Sequence, residues 1–270
     1  MIFYLSCTGN TLWAARRLSD ATGERLIDIA AADDDEQHYA PVEGERIGFC
    51  FPVHGWRPPL IVRRFIGRLV VDDAAKHYCY ALCTAGDNIG ETVDLLRGDL
   101  KERGIRLDSA FSLLMPESYV GLPFMDVDTP EKEASKIARA SEQLAQIERY
   151  VATRQQGLET VVRGRWPRIN SRILGDFFVR KLITDKPFHV ADDRCVRCGE
   201  CARRCPVDNI AWQPDELPSW KHTGRCMTCF ACYHHCPKHA VEFGNRTKGK
   251  GQYFFKDNIY REKEETGTKE

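Results

Sequence analysis

Short apolar runs alternate with stretches of helical spacing through the first half of this chain. Apolar, strand-like runs are predicted at 2–5, 25–30, 45–53, 77–85 and 105–116. Between them, LWAARRLSDAT (12–22) places Leu12, Ala15 and Leu18 on one side of a helix. PPLIVRRFIGRLV opens with prolines, which a first helical turn tolerates. GDNIGETVDLLRGDLKERG carries a stripe through Ile89, Val93, Leu96 and Leu100 and closes at Gly104. The long amphipathic run 129–157 has Thr129 in the N-cap position. Strands alternating with helices in this way predict an α/β fold with a doubly wound, five-stranded parallel sheet. The segment 30–45 is too polar for a good helix, so one βα unit is expected to be shortened.

Past residue 158 the pattern changes. Residues 159–189 read as a basic connector with one short helix, and 190–245 as a small cysteine-rich domain. Residues 246–270 read as a tail with a loose end. The charge on the connector suits either a solvated helix face or an acidic redox partner. Lysine plus arginine equals aspartate plus glutamate, 39 each, which gives no support to a nucleic-acid partner. No apolar run is long enough for a membrane span, and MIFYL is too short for a signal peptide. A cytoplasmic protein is expected.

Twelve cysteines in a reducing compartment point to metal or redox chemistry rather than disulfides. Cys50 and Cys79 read as strand-core thiols. Eight others fall into two copies of one frame, C-x2-C-x2-C-x3-C-P. CVRCGECARRCPVDNIAW starts at Cys195 and CMTCFACYHHCPKHAVEF at Cys226, an offset of 31 residues. A zinc site needs four ligands, commonly from two CxxC pairs. Each copy here already holds four cysteines, so iron–sulfur chemistry fits better than zinc. His234 and His235 read as filler, since Arg203 and Arg204 take the equivalent places.

SCTGNT (6–11) follows the first strand and precedes the first helix. Such a loop gathers backbone N–H groups at a positive helix end and so can hold an anion. Ser6, Thr8 and Thr11 supply hydroxyls, Gly9 permits close approach, and Asn10 caps or donates. Without a lysine it is not a nucleoside-triphosphate loop, nor does it match a dinucleotide fingerprint. It suits a phosphate monoester that is bound and not hydrolysed.

These features resemble known families. SCTGNT is similar to the FMN-phosphate loop of flavodoxins, and the twin cysteine frame resembles bacterial dicluster ferredoxins. MPESY (115–119) resembles members of a family that fuses the two. The flavodoxin resemblance implies FMN at the switch point between the first and third strands. Its cradle would be Ser6, Cys7, Thr8, Gly9, Asn10 and Thr11. Pro52, Val53, His54, Gly55, Trp56 and Arg57 would follow the third strand, with Trp56 stacking on the ring and His54, Gly55 and Arg57 at its edge. Thr84, Ala85, Gly86, Asp87 and Asn88 would supply the third loop. That loop lacks the aromatic often found there, which leaves one ring face open or covered by another element. Cys7 and Cys83 would lie near the flavin as small buried residues.

The ferredoxin resemblance implies two [4Fe–4S] clusters with crossed ligation. One would take Cys195, Cys198, Cys201 and Cys236, and the other Cys226, Cys229, Cys232 and Cys205. A flavin and two cubanes in one chain imply an electron-transfer protein serving a partner oxidoreductase. A flavin-dependent reductase of a small molecule is the alternative, with the third loop and Trp56 as its pocket. No catalytic acid–base pair or nucleophile stands out, and no nicotinamide unit is found. Redox partner proteins are expected, and a homodimer is left open.

Overall fold

A computed structural model describes residues 1–32 and 35–256 of the chain. Its core is a parallel sheet built from β1 (Ile2–Tyr4), β2 (Leu26–Asp28), β4 (Ile47–Pro52), β6 (Cys79–Ala85) and β7 (Ser109–Leu114), with a short edge strand β8 (Glu159–Thr160). The order across the sheet is β2-β1-β4-β6-β7-β8. Counting only the five expected strands, this is second, first, third, fourth, fifth, the flavodoxin-like order.

Both faces of the sheet are buried, and the alternation of side chains decides what each face meets. Phe49 and Phe51 of β4 and Ala81 and Cys83 of β6 pack into one core with Phe65 and Leu96. Those two belong to α2 (Leu60–Arg68) and α3 (Thr92–Glu102). Cys50, Tyr80 and Leu82 look the other way, toward Leu18 and Leu144. The latter lie on α1 (Asn10–Thr22) and α4 (Pro130–Ala152). Thr129 caps α4 as expected, its hydroxyl accepting from Lys132 N–H at 3.4 Å.

Among the described residues, the polar segment after β2 forms no α-helix. It makes one turn of 3-10 helix and then β3 (Gln37–Tyr39), which pairs in parallel with β5 (Leu69–Val71) beside the main sheet. Asp33 and Asp34 of this segment lie outside the described residues.

The connector is more than a link. Residues 167–182 form continuous helical turns, alternating α with the wider π geometry. They lie against the turn after β4. A Cβ on Gly55 would stand 2.6 Å from Phe178 Cδ1, and one on Gly175 would collide with the Gly55 carbonyl oxygen. Glycine on both surfaces is what allows this approach.

Beyond it lies a pseudo-twofold unit. β9 (Phe188–Val190) pairs antiparallel with β12 (Val241–Phe243), and β10 (Ile210–Ala211) with β11 (Ser219–Trp220). The two short helices Glu200–Arg203 and Ala231–His234 keep the 31-residue offset of the cysteine frame. Phe188, Trp220, Phe230 and Phe243 fill the space between the halves. Among the described residues, no helix is long and apolar enough to cross a membrane.

Candidate cofactor sites

The loops after β1, β4 and β6 meet at one edge of the sheet and surround a cavity of about 460 Å³. Fifteen of the residues expected around a flavin line it: Ser6, Cys7, Thr8, Asn10, Thr11, then 52–56 and 84–88. Gly9 stands just behind, in a left-handed conformation (φ 96°) that turns the chain into α1. Arg57 is not at the cavity. It reaches away to Asp176 on the connector, where its guanidinium donates to the carboxylate at 2.9 Å.

The first loop is held from several sides. Ser6 Oγ accepts from Leu12 N–H at 3.2 Å. The Thr11 and Thr84 hydroxyls share a 2.8 Å hydrogen bond that ties the loop to the end of β6. Asn10 Nδ2 donates to the Pro116 carbonyl at 3.3 Å. Among the described residues no lysine or arginine lines the cavity; hydroxyls, amides and the N-terminus of α1 line this end instead. Burial lowers the pKa of His54 to about 4, so its imidazole is neutral. Asn88 Oδ1 is buried and has no hydrogen-bond partner among the described residues.

Aromatic walls come from places the sequence did not signal. Tyr119, Phe177 and Phe178 line the cavity with Trp56, and exposed Phe124 stands at its rim. Phe177 and Phe178 belong to the connector, which supplies the cover that the third loop lacks. Glu117 also lines the cavity, its carboxylate accepting from the N–H groups of Ser118 (2.9 Å) and Tyr119 (2.8 Å). Met227, Thr228 and Cys229 complete the wall from the second cysteine repeat.

The eight cysteines sort into two cages. Cys195, Cys198, Cys201 and Cys236 surround a void of about 20 Å³ closed by Val190, Pro218 and Val241. Cys205, Cys226, Cys229 and Cys232 gather beside Val207 and Met227. Burial, and then the charge of these neighbours, pushes Cys226 up to about 12 and raises Cys232 well above its usual value. Thiols that buried stay protonated until a cationic centre replaces the proton, which is the chemistry a cluster offers. Among the described residues no three such side chains converge as a single-ion site would require. A cubane instead needs its thiolates spread around its corners.

Backbone donors repeat with the frame. Arg197 N–H and Thr228 N–H each donate to the sulfur two residues earlier, Cys195 and Cys226, at 3.4 Å. Asn209 N–H and Ala240 N–H donate to Cys205 and Cys236 at 3.2 Å. Left-handed backbone at Arg197 and Thr228, at Gly199 and Phe230, and at Asp208 and His239 bends both loops alike. Such N–H···S bonds stabilise thiolates and tune whatever they ligate.

Residues 189–237 match the family profile described as a 4Fe-4S dicluster domain. The chain joins a flavodoxin-like sheet to a dicluster ferredoxin module. Similar solved structures overlap it only loosely. A protein assigned as a flavoprotein in Bacteroides uniformis is 18% identical over 42% of this chain and 88% of its own, with a TM-score of 0.33. Rubredoxin oxygen:oxidoreductase from Desulfovibrio gigas is 16% identical over 57% of this chain, with a TM-score of 0.32. An azoreductase from Bacillus anthracis is 10% identical over 55% of this chain and 99% of its own, with a TM-score of 0.36. The chain spans only 36% of the Desulfovibrio protein. All these scores lie below 0.5, so the fold assignment rests on strand order instead. No curated protein sequence matches the chain.

Proposed function

We propose that this protein is an electron-transfer flavoprotein that holds FMN in the 460 Å³ cavity and two [4Fe–4S] clusters in the cysteine cages. One observation carries the reading: the two kinds of site share a wall. Cys229 belongs to one cage and also lines the cavity, and the Cys7 thiol of the first loop hydrogen-bonds to it. The cavity has the volume of a single cofactor-sized ligand. Its hydroxyl-and-amide end suits a phosphate monoester, its aromatic end a flat ring, and Asn88 Oδ1 would accept from a ring N–H.

FMN exchanges electrons in pairs or singly, whereas a cubane exchanges one at a time, so their union links two-electron to one-electron chemistry. The chain's own residues do the positioning. Thr11 and Thr84 fix the phosphate loop to the sheet. Trp56 is held by Ser171, whose hydroxyl donates to the Trp56 carbonyl at 2.8 Å, and Phe177 and Phe178 exclude water. Neutral His54 adds no charge beside the ring. The partner is a redox protein of the cell interior.

The apolar rim at Phe124, Leu174 and Phe177 favours a second reading, a reductase taking a small apolar acceptor at the cavity mouth. Anaerobically purified protein, assayed for iron, sulfide and flavin per chain, tests the cofactor content. Dithionite-reduced protein that is reoxidised by a redox protein, and does not saturate with small acceptors, supports the carrier. Protein without flavin or sulfide would end the proposal.

A further inference from the structure

After the second repeat the chain doubles back across both modules. Lys250 Nζ donates to the carbonyls of Val120 (2.9 Å), Leu122 (2.5 Å) and Met125 (2.6 Å), closing the loop that carries Glu117 and Tyr119. Gln252 Nε2 donates to the carbonyls of Tyr233 (2.5 Å) and Cys236 (3.0 Å). Tyr253 N–H donates to His234 Nδ1 at 3.1 Å, which leaves Nε2–H to donate to the Ser118 carbonyl at 2.6 Å. His234 is therefore a junction with both ring nitrogens in use, not filler between ligands.

The segment then reaches the first loop. Tyr253, only 4% exposed, donates its hydroxyl to Asn10 Oδ1 at 2.6 Å. Asn10 Nδ2 is already spent on the Pro116 carbonyl, so both ends of that amide are fixed. Phe255 N–H donates to the Thr8 carbonyl at 2.7 Å, and its ring lies 5.2 Å from that of Trp13 on α1. A Cβ on Gly9 would stand 3.0 Å from Phe255 Cβ. Neither Tyr253 nor Phe255 lines the cavity, so the segment backs the loop from outside.

We propose that residues 250–256 are a strap belonging to the flavin-phosphate site. They hold SCTGNT in its anion-binding shape through Asn10 and Thr8, and they tie that shape to the dicluster module through His234 and Gln252. This rests on the FMN reading above. The physical effect is preorganisation: a loop already fixed loses less freedom when its anion binds.

The test is FMN titration, monitored by quenching of flavin fluorescence, into anaerobic cluster-loaded protein stripped of flavin. Wild-type protein that binds no FMN defeats the flavin reading itself, an outcome distinct from any effect of the strap variants. Given wild-type binding, Tyr253→Phe is expected to weaken FMN about tenfold, about 1.4 kcal/mol, and Phe255→Ala at least as much. Riboflavin, which lacks the phosphate, is expected to lose far less affinity, whereas a general loosening of the fold would weaken both ligands alike. Iron and sulfide per chain report whether each variant keeps its clusters. Should Phe255→Ala lose them, Tyr253→Phe, which removes one oxygen atom, decides alone. FMN affinity within about twofold of wild type in Tyr253→Phe, or equal losses for FMN and riboflavin, would overturn the proposal.

Discussion

The thiols of Cys7 and Cys229 meet across the seam between the two modules. The Cys7 S–H donates to Cys229, which holds the Cys7 pKa far above its usual value and lowers that of Cys229. Under the proposed ligation by Cys229, a donor aimed at its sulfur favours the reduced, more negative state of that centre. Cys7→Val removes the donor at similar size. One of the two centres is expected to become harder to reduce, with the other unchanged, in a redox titration monitored by EPR. Two unshifted potentials would show that the contact has no electronic effect.

The close approach at Gly55 predicts a structural cost. The residue has φ 57°, and any Cβ meets the Phe178 ring at 2.6 Å. Phe178 cannot easily yield, because Tyr119 packs edge-on against it with centroids 5.3 Å apart. Gly55→Ala is expected to destabilise the protein by about 1–3 kcal/mol. Urea unfolding reads the loss, and an unchanged midpoint would mean that the connector does not press on this turn in solution.

His54 sets a pH dependence. Burial lowers its pKa to about 4, against about 6.5 for an unfolded histidine. The unfolded chain therefore binds the proton first as pH falls, so His54 removes stability between about pH 6.5 and 4 and none above. The loss is on the order of 1–3 kcal/mol at the acid end. His54→Gln is expected to flatten the fall of the urea midpoint from pH 7 to 5. A slope identical to wild type would place the acid sensitivity elsewhere.

Tyr80 offers the opposite sign. Its side chain is wholly buried, and among the described residues its hydroxyl has no hydrogen-bond partner. The oxygen also crowds Gly48, where a Cβ would stand 2.6 Å away. Removing an unsatisfied buried hydroxyl returns its desolvation cost, so Tyr80→Phe is expected to stabilise the fold by about 1 kcal/mol. Thermal unfolding would show a higher midpoint, and a lower one would reveal a partner for the hydroxyl.

The sheet was legible because its signal is local. A strand buried on both faces must be apolar throughout, as in IGFCFP, and each covering helix repeats its own stripe. The cysteine frame was legible for the same reason, since loops that wrap one centre draw ligands from neighbouring positions. β8 was not, because Glu159 and Thr160 are exposed and join β7 through backbone pairing, with no apolar alternation to signal a strand. The connector's part in the cavity was hidden by composition. Its arginines advertise a solvated helix, while Phe177 and Phe178 reach the cavity because Gly175 within the helix and the distant Gly55 let the two surfaces close. His234 and Tyr253 matter through partners more than a hundred positions away, and no periodicity records such pairs. The loose end expected for the tail falls at 257–270, outside the described residues. The segment just before it is clasped.

The contact between Tyr253 and Asn10 also sets an order of events during biosynthesis. A ribosome releases the first loop early, yet the hydroxyl that pins it is made 243 positions later. Both cysteine repeats emerge in between. The nascent sheet can therefore fold while the SCTGNT loop still lacks its outer support, and the dicluster module is translated before that support is in place.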